Sequence, residues 1–400
     1  MEKNTYTGLV LLSGVDAPGV TQALFSALSP FSLIILDIEQ VVIRGRLILT
    51  ALIALDPAHA PAIETDLIEM AKQLDLDLAI DYSEGENSNE DSRSHLHIVA
   101  LSPNLKAEGV AAIASEISKN GGNIDRIRRT ASYPLTAIEF DVSFPASGMD
   151  LKKVQGSLAT IARSNGIDIA VERSGLARRA KRIVLLDMDS TLIKEEVIDL
   201  LANKVGVGEQ VAQITERAMK GELDFKQSLQ ERVGLLGGSS DKILGEVAKE
   251  ITLSPGARTL VRTLHRLGHK VGVVSGGFLD VIEPILNELN IDFYRANKLE
   301  VVNGVLTGKL LGEIIDRDAK ASALRQFATD EGVALSQTIA IGDGANDLGM
   351  LEVAGLGIAF NAKPAVREAA DSTINSPYLD AVLYLMGITR EEIEKADLES

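Results

Sequence analysis

The run Ile183-Val184-Leu185-Leu186-Asp187-Met188-Asp189-Ser190-Thr191 constrains this 400-residue chain more than any other segment. Four consecutive apolar residues bounded by polar ones fit a short strand buried on both faces of a parallel sheet. Because strand side chains alternate, Asp187 and Asp189 leave on one side and Met188 on the other. Two carboxylates at the carboxyl end of such a strand lie where open α/β sheets bind ligands.

From Arg182 onward, further apolar runs at 270–274, 338–341 and 357–359 alternate with helical spacing, which predicts an α/β fold with a doubly wound, Rossmann-like parallel sheet over 175–400. Residues 196–250 are too long for a simple crossover and read as a helical cap, placed at about 195–253. The turn signal Asn303-Gly304 predicts a β-hairpin over 299–311. Upstream, residues 84–94 are rich in Ser, Asn and acids and read as a flexible linker. On either side stand two modules of similar pattern, 1–83 and 95–174. The first shows a strand at 7–13, a helix at 17–28, strands at 34–43 and 47–55 and a helix at 60–74. The second repeats that order and closes on a strand at 168–171. A β-α-β-β-α-β order implies an α+β, ferredoxin-like sheet with helices on one face. Gly19-Val20 and Gly109-Val110 fall at matching places beside the first helix of each copy. The joint at 174–181, with Arg178, Arg179, Lys181 and Arg182, reads as a solvated basic connection.

The formal charge of −17 argues against nucleic acid as a partner, and 46% hydrophobic residues allow real cores. There is no cysteine, hence neither disulfides nor thiolate metal sites. No apolar stretch reaches the ~18 residues of a membrane span. The opening Met1-Glu2-Lys3-Asn4 lacks signal-peptide features, so a cytoplasmic protein is expected. His265 and His269 are spaced four apart, but without a further ligand beside them they read as surface residues.

The carboxylate pair points to phosphoryl transfer. Uncatalysed phosphate monoester hydrolysis is so slow that enzymes can accelerate it by up to roughly 10^21, and several devices must act together. A carboxylate nucleophile splits the reaction through an acyl phosphate, and a second carboxyl group moves protons. Mg²⁺ removes anion repulsion, while a fixed cation and backbone donors stabilise charge. Asp187 is the candidate nucleophile and Asp189 the candidate acid/base. Ser275-Gly276-Gly277 follows the strand at 270–274 and offers a hydroxyl and permissive backbone. Lys320 precedes a helical stretch and supplies a cation. Gly342-Asp343-Gly344-Ala345-Asn346-Asp347 follows the strand at 338–341 and adds a metal carboxylate, Asp343, and an amide, Asn346.

These four segments, in this order, resemble the motifs of the haloacid dehalogenase superfamily over roughly 182–381. Within it, Asp-Met-Asp-Ser-Thr together with Gly-Asp-Gly-Ala-Asn-Asp looks like the phosphoserine phosphatase family. Cap residues Thr215-Glu216-Arg217-Ala218-Met219, Leu223-Asp224-Phe225, Gln227-Ser228-Leu229 and Arg232-Val233 are similar to that family's cap. The resemblance implies hydrolysis of O-phospho-L-serine to L-serine and phosphate, the last step of serine biosynthesis. It gives Glu196 the substrate ammonium and Arg232 its carboxylate, with Met219 and Phe225 as a shield from water. It places Mg²⁺ on Asp187, the backbone carbonyl of Asp189, and Asp343, with Asn346 and Asp347 beside them. Independently, a zwitterionic amino acid requires one acid and one arginine, which Glu196 and Arg232 can supply.

The amino-terminal repeats resemble ACT domains, amino-acid-sensing modules. Ser13-Gly14-Val15-Asp16-Ala17-Pro18-Gly19-Val20 is similar to their ligand-loop signature, whereas Pro103-Asn104-Leu105-Lys106-Ala107-Glu108-Gly109-Val110 lacks its Asp-x-Pro-Gly core. Regulation by L-serine or another amino acid near Asp16, Gly19 or Gly109 is therefore implied. Small sheets with open edges suggest a homodimer. Two alternatives stay open: a phosphatase or phosphomutase for another small phosphometabolite, and an amino-acid sensor with a vestigial phosphatase domain.

Overall fold

Alternating apolar residues in the first module set one sheet face against two helices. The computed structural model describes residues 6–84, 93–145 and 149–399. The first module comprises β1 (Tyr6–Val15), α1 (Val20–Leu28), β2 (Ile34–Ile43), β3 (Arg46–Ala54), α2 (Ala60–Gln73) and β4 (Asp77–Glu84). Its antiparallel sheet runs β2-β3-β1-β4. Val10, Leu12, Leu49 and Ile53 on one face pack with Leu24, Leu28, Ile63 and Leu67 of the helices. The opposite face is bare, with Leu9, Leu11, Ile48 and all of β2 exposed. Strand β4 is not marked in the sequence pattern, and α1 begins three residues later than the expected helix at 17–28. Gly19, at φ 97°, turns the chain into the helix one residue before Val20.

Two compact units divide between Asp91 and Ser92. Of the expected linker, residues 85–92 lie outside the described residues, while Glu84 ends β4 and Arg93 and Ser94 begin the next strand. The second module comprises β5 (Arg93–Ser102), α3 (Ala107–Lys119), β6 (Asn123–Ala131), β7 (Thr136–Pro145), α4 (Leu151–Ser164) and β8 (Asp168–Arg173). Its helices also cover one face only. The other face is not bare here: Val99, Leu101, Ala131, Leu135 and Ala137 share a core with Leu379, Leu383 and Leu385 near the carboxyl end.

A short helix, α5 (Leu176–Arg179), leads into β9 (Ile183–Leu186), whose four residues have no exposed surface. The cap follows as α6 (Val197–Val205), α7 (Gly208–Met219), α8 (Phe225–Gly234) and α9 (Lys242–Ala248). Next come α10 (Ala257–Arg266), β10 (Lys270–Phe278), α11 (Leu279–Glu288), β11 (Phe293–Val302), β12 (Val305–Leu311) and α12 (Arg317–Asp330). The chain ends with β13 (Thr338–Gly342), α13 (Leu348–Val353), β14 (Leu356–Phe360), α14 (Pro364–Ala369), β15 (Ser372–Ile374), α15 (Ala381–Leu385) and α16 (Arg390–Leu398). Strands β11, β10, β9, β13, β14 and β15 lie side by side in parallel, with β9 in the interior of the sheet. The expected hairpin is β11–β12, and its turn residues Asn303 and Gly304 both have positive φ. Backbone bonds from Gly238 to Leu306 and from Leu306 to Ser239, each 2.8 Å, fasten the cap to that hairpin.

The sheet continues past β15 into β8, β5, β7 and β6, through an antiparallel bridge between Ser372 and Ala170. The second module is thus joined to the parallel sheet, a continuity that β15, only three residues long, does not signal in the sequence. The joint between them is not solvated as expected. The Arg178 side chain is 11% exposed, donates to the Leu385 carbonyl at 3.2 Å and lies 3.7 Å from Glu172. Lys181 is buried, with Nζ 3.2 Å from Glu172 and donating to the Ser336 carbonyl. Both cations are threaded between two cores that offer a carboxylate and free carbonyls, whereas Arg179 and Arg182 stay exposed. His265 and His269 are half-buried rather than on the surface, and His265 pairs with Asp292 at 3.0 Å. Among the described residues no helix is long and apolar enough to cross a membrane.

Candidate active site

The end of β9 is pinned before it turns. The Asp187 N–H donates to the Ile341 carbonyl of β13 at 2.9 Å, and the Met188 N–H donates to Asp187 Oδ1 at 2.7 Å. Ser190 then adopts φ 54°, a left-handed conformation uncommon for a residue with a side chain. Its hydroxyl donates to Glu196 Oε1 at 2.8 Å, so the strained turn is tied to the entrance of α6. The Val197 N–H, at the first position of that helix, donates to Asp189 Oδ1 at 3.4 Å. A helix amino terminus is a favourable place for a carboxylate.

Lys320 lies in the first turn of α12, whose amino end is capped by Asp316 accepting from the Ala319 N–H at 2.9 Å. Lys320 has no exposed surface, and its Nζ is 2.6 Å from both Asp187 Oδ1 and Asp347 Oδ1. Asp347 is equally buried and also accepts from the Gly344 N–H at 2.9 Å. A Cβ at position 342 would fall 2.4 Å from the Asp347 carboxyl carbon, so only glycine lets this strut approach β13. Thr191 donates to Asp343 Oδ1 at 3.3 Å. Oxygens of Asp187, Asp343 and Asp347 all lie within 4.8 Å of one another.

At the end of β10, buried Ser275 accepts from the Gly277 N–H at 2.8 Å, which shapes the Ser275-Gly276-Gly277 loop. Asn297 on neighbouring β11 is 2% exposed. Its amide donates to the Gly276 carbonyl at 2.8 Å and accepts from the Ile315 N–H at 2.9 Å, linking this loop to the segment that leads into α12.

A cavity of about 510 Å³ opens between these strand ends and the cap, and Asp187, Asp189, Gly276, Asp343 and Asn346 form its floor. Glu196, Met219, Phe225 and Arg232 line it from the cap side. Phe225 starts α8 behind a capping box of Asp224 and Gln227, and its ring rests on Gly276, where a Cβ would meet it at 3.0 Å. The adjacent Lys226 pairs with Asp316 at 2.9 Å, holding the cap helix to α12. Met219 is 69% exposed and stands at the rim, which excludes it from the cap core.

Burial, then the Asp347 and Asp343 charges, drive the Asp187 carboxyl well above the usual range against the pull of Lys320. Burial and Glu196 push Asp189 up to about 8, and burial with Asp347 and Glu196 takes Asp343 to about 7. Burial opposes the Lys320 charge, but Asp187 and Asp347 outweigh it and raise its proton affinity. Burial lowers Arg232, against the attraction of Asp199, Glu196 and Asp189. Three converging carboxylates thus face one ammonium, and an oxygen-seeking cation fits this donor set. The Asp189 side chain is not among the three clustered carboxylates.

The structure brings the candidate site residues of the phosphatase region together, with one qualification. Ser275 and Lys320 have no exposed surface and lie beneath the cavity floor. The Lys320–Asp347 strut, the Asn297 brace, and Arg317 and Lys363 in the cavity wall were not anticipated. Neither basic residue sits in a recognisable motif, and Asn297 is legible only once β11 is known to flank β10. In the first module Asp16 is exposed, its N–H donating to the Gly45 carbonyl at 2.9 Å, and Gly19 is left-handed. Gly109 differs, and its match to Gly19 does not extend to conformation. It lies inside α3, where a Cβ would come 2.5 Å from Ile167 Cδ1, so close packing accounts for it.

Residues 184–352 match the haloacid dehalogenase-like hydrolase family, and residues 7–81 and 94–172 each match an ACT domain family. The chain is 51% identical to a phosphoserine phosphatase of Streptomyces coelicolor, covering 98% of this chain and 94% of that protein. It is 48% identical to phosphoserine phosphatase SerB2 of Mycobacterium tuberculosis, covering 97% and 95%. Among solved structures, a haloacid dehalogenase family hydrolase from Salmonella enterica serovar Typhi superposes with a TM-score of 0.64 at 29% identity, covering 72% of this chain and 98% of that one. With its catalytic strand ends, helical cap and paired amino-terminal modules all matched in order, the chain belongs to the phosphoserine phosphatase family of haloacid dehalogenase-like hydrolases.

Proposed function

We propose that this protein hydrolyses O-phospho-L-serine to L-serine and phosphate with Mg²⁺, and that Asp187 is the nucleophile. The observation that carries the reading is the Lys320–Asp187 contact at 2.6 Å, which fixes one carboxylate oxygen on the floor of a capped cavity. Asp187 attacks phosphorus as the bond to the seryl oxygen breaks, and Asp189 donates its proton to that oxygen. A protonated Asp189 suits this step, since its carboxyl is pushed up to about 8. Serine leaves, water attacks the phosphorus of the aspartyl-phosphate as its bond to the Asp187 oxygen breaks, Asp189 takes the proton of that water, and phosphate departs with the Asp187 carboxylate restored. Asp187 and Asp343, with the Asp189 carbonyl, would hold Mg²⁺, whose charge offsets the repulsion between carboxylates and phosphoryl oxygens. Glu196 and Arg232, on the cap side of the same cavity, supply the opposite charges that a seryl ammonium and carboxylate require.

Asp187→Asn is expected to abolish phosphate release with the circular dichroism spectrum intact; substantial residual turnover removes Asp187 from this role. Arg232→Ala is expected to raise KM for phosphoserine tenfold or more and to leave an aryl phosphate nearly unaffected. Equal losses on both would show that the cap does not read the carboxylate.

The same reading includes a cytoplasmic enzyme with an ACT-like module at 1–83, a second at 95–174 and a phosphatase domain at 175–400. An amino acid, serine foremost, regulates it near Asp16 and Gly19. Homodimerisation is supported by contrast between the repeats: the sheet face that the phosphatase core covers in the second module is bare and apolar in the first. A contiguous patch of that kind marks an interaction surface. Light scattering at twice the 42.7 kDa chain mass is the expected result, and a single chain mass at micromolar concentration removes the dimer.

A further inference from the structure

A second cavity, of about 400 Å³, opens at the seam between the second module and the catalytic sheet. It shares no lining residue with the catalytic cavity. Arg163, Gly166 and Asp168, around the end of α4 and the start of β8, form one wall. Arg367 of α14, with Asn375 and Ser376 just beyond β15, forms the other. Two guanidinium groups therefore line one small space in a chain of net charge −17.

Arg367 is only partly satisfied. Its Nη1 donates to Asn375 Oδ1 at 3.1 Å, but its Nε is buried and finds no hydrogen-bond partner. An orphaned buried donor is costly and rare. Asp168 is the one carboxylate in the wall, and both of its oxygens accept from Asn375, one from the backbone N–H and one from the amide. Arg163 is 45% exposed and meets Glu368 only at 3.8 Å, a loose surface pairing that a better ligand can displace. Arginine is the side chain best suited to a planar oxyanion, because its fork offers paired donors.

We propose that this seam cavity binds a small oxyanion, a carboxylate or a phosphate, on the Arg367 guanidinium, with Arg163 as the second cation. Its place in the molecule gives it reach: α14 carries Arg367 at the seam, and Lys363, the residue just before that helix, lines the catalytic cavity. Both products of the proposed reaction carry such a group, but binding here does not depend on that reading.

The test is calorimetric titration of the full chain with acetate, L-serine and inorganic phosphate in turn, repeated on Arg367→Gln and Arg163→Gln. At least one probe is expected to show a binding event in the parent chain that weakens tenfold or more in Arg367→Gln and severalfold in Arg163→Gln. Because the two cavities share no residue, binding at the catalytic cavity persists in both variants. Loss confined to acetate and L-serine identifies a carboxylate site, and loss confined to phosphate a phosphate site. Should Arg367→Gln lose its circular dichroism signal, the exposed Arg163→Gln carries the comparison alone. Titrations indistinguishable between the parent and the folded variants for all three probes overturn the proposal.

Discussion

Lys320 holds a carboxylate in place from beneath the cavity, and the surrounding acids are left to repel one another. Asp189, half-buried on the cavity floor beside Glu196, feels this most plainly, with its carboxyl pushed up to about 8. A carboxyl raised in the folded state costs stability as pH rises. Well below pH 4 both folded and unfolded chains keep the proton; from about pH 4 to about pH 8 only the unfolded chain releases it, so the folded state falls behind; above that the loss is complete. Each tenfold change in proton affinity is worth about 1.4 kcal/mol. In protein stripped with a chelator, the stability of Asp189→Asn relative to the parent is therefore expected to rise from pH 4 to pH 8.5 by at least ~1 kcal/mol. Urea denaturation at the two pH values measures the difference, and a relative stability that fails to rise would contradict the burial argument.

Strand ends were the legible part of this chain. Apolar runs of four or five residues followed by acids, small residues or glycine identified β9, β10 and β13, and the order of their motifs placed Asp187, Ser275 and Asp343 at one edge of the sheet. The rest depends on lateral neighbours that no local pattern encodes: β4 and β15, the buried Arg178 and Lys181, and the pairing of Asp347 with Lys320. Asn297 belongs to this group, an ordinary polar residue in a strand until β11 is set beside β10. It satisfies the Gly276 carbonyl and the Ile315 N–H together, so it fixes the Ser275-Gly276-Gly277 loop relative to α12 and Lys320. Asn297→Ala strands two backbone groups in a buried place and is expected to destabilise the protein by about 2–3 kcal/mol. Its kcat should fall with little change in KM for phosphoserine, because Arg232 and Glu196 remain in the cap. An unchanged kcat in folded protein would show that the brace serves stability alone.

Repetition in sequence has produced two modules with unequal standing in the molecule. In the first, the sheet face opposite the helices is open, and the compact unit it forms ends before Ser92. In the second, that face shares its core with Leu379, Leu383 and Leu385, and β8 extends the catalytic sheet beyond β15. Arg178 and Lys181 add polar ties between Glu172 of β8 and the carbonyls of Leu385 and Ser336. The two modules should therefore respond oppositely to deletion. A chain lacking residues 1–91 is expected to keep the main thermal transition of the full-length protein within a few degrees. Removing 1–174 instead leaves β15 as an unpaired sheet edge and uncovers several large apolar residues, each of which contributes roughly 1.5–3 kcal/mol when buried. That shorter form is expected to unfold at least ~10 °C lower or to aggregate, since a loss of 1 kcal/mol shifts the midpoint of a domain this size by about 2–4 °C. Differential scanning calorimetry on the three chains decides the matter: equal midpoints for both truncations would mean that the shared core contributes nothing to the stability of the catalytic half.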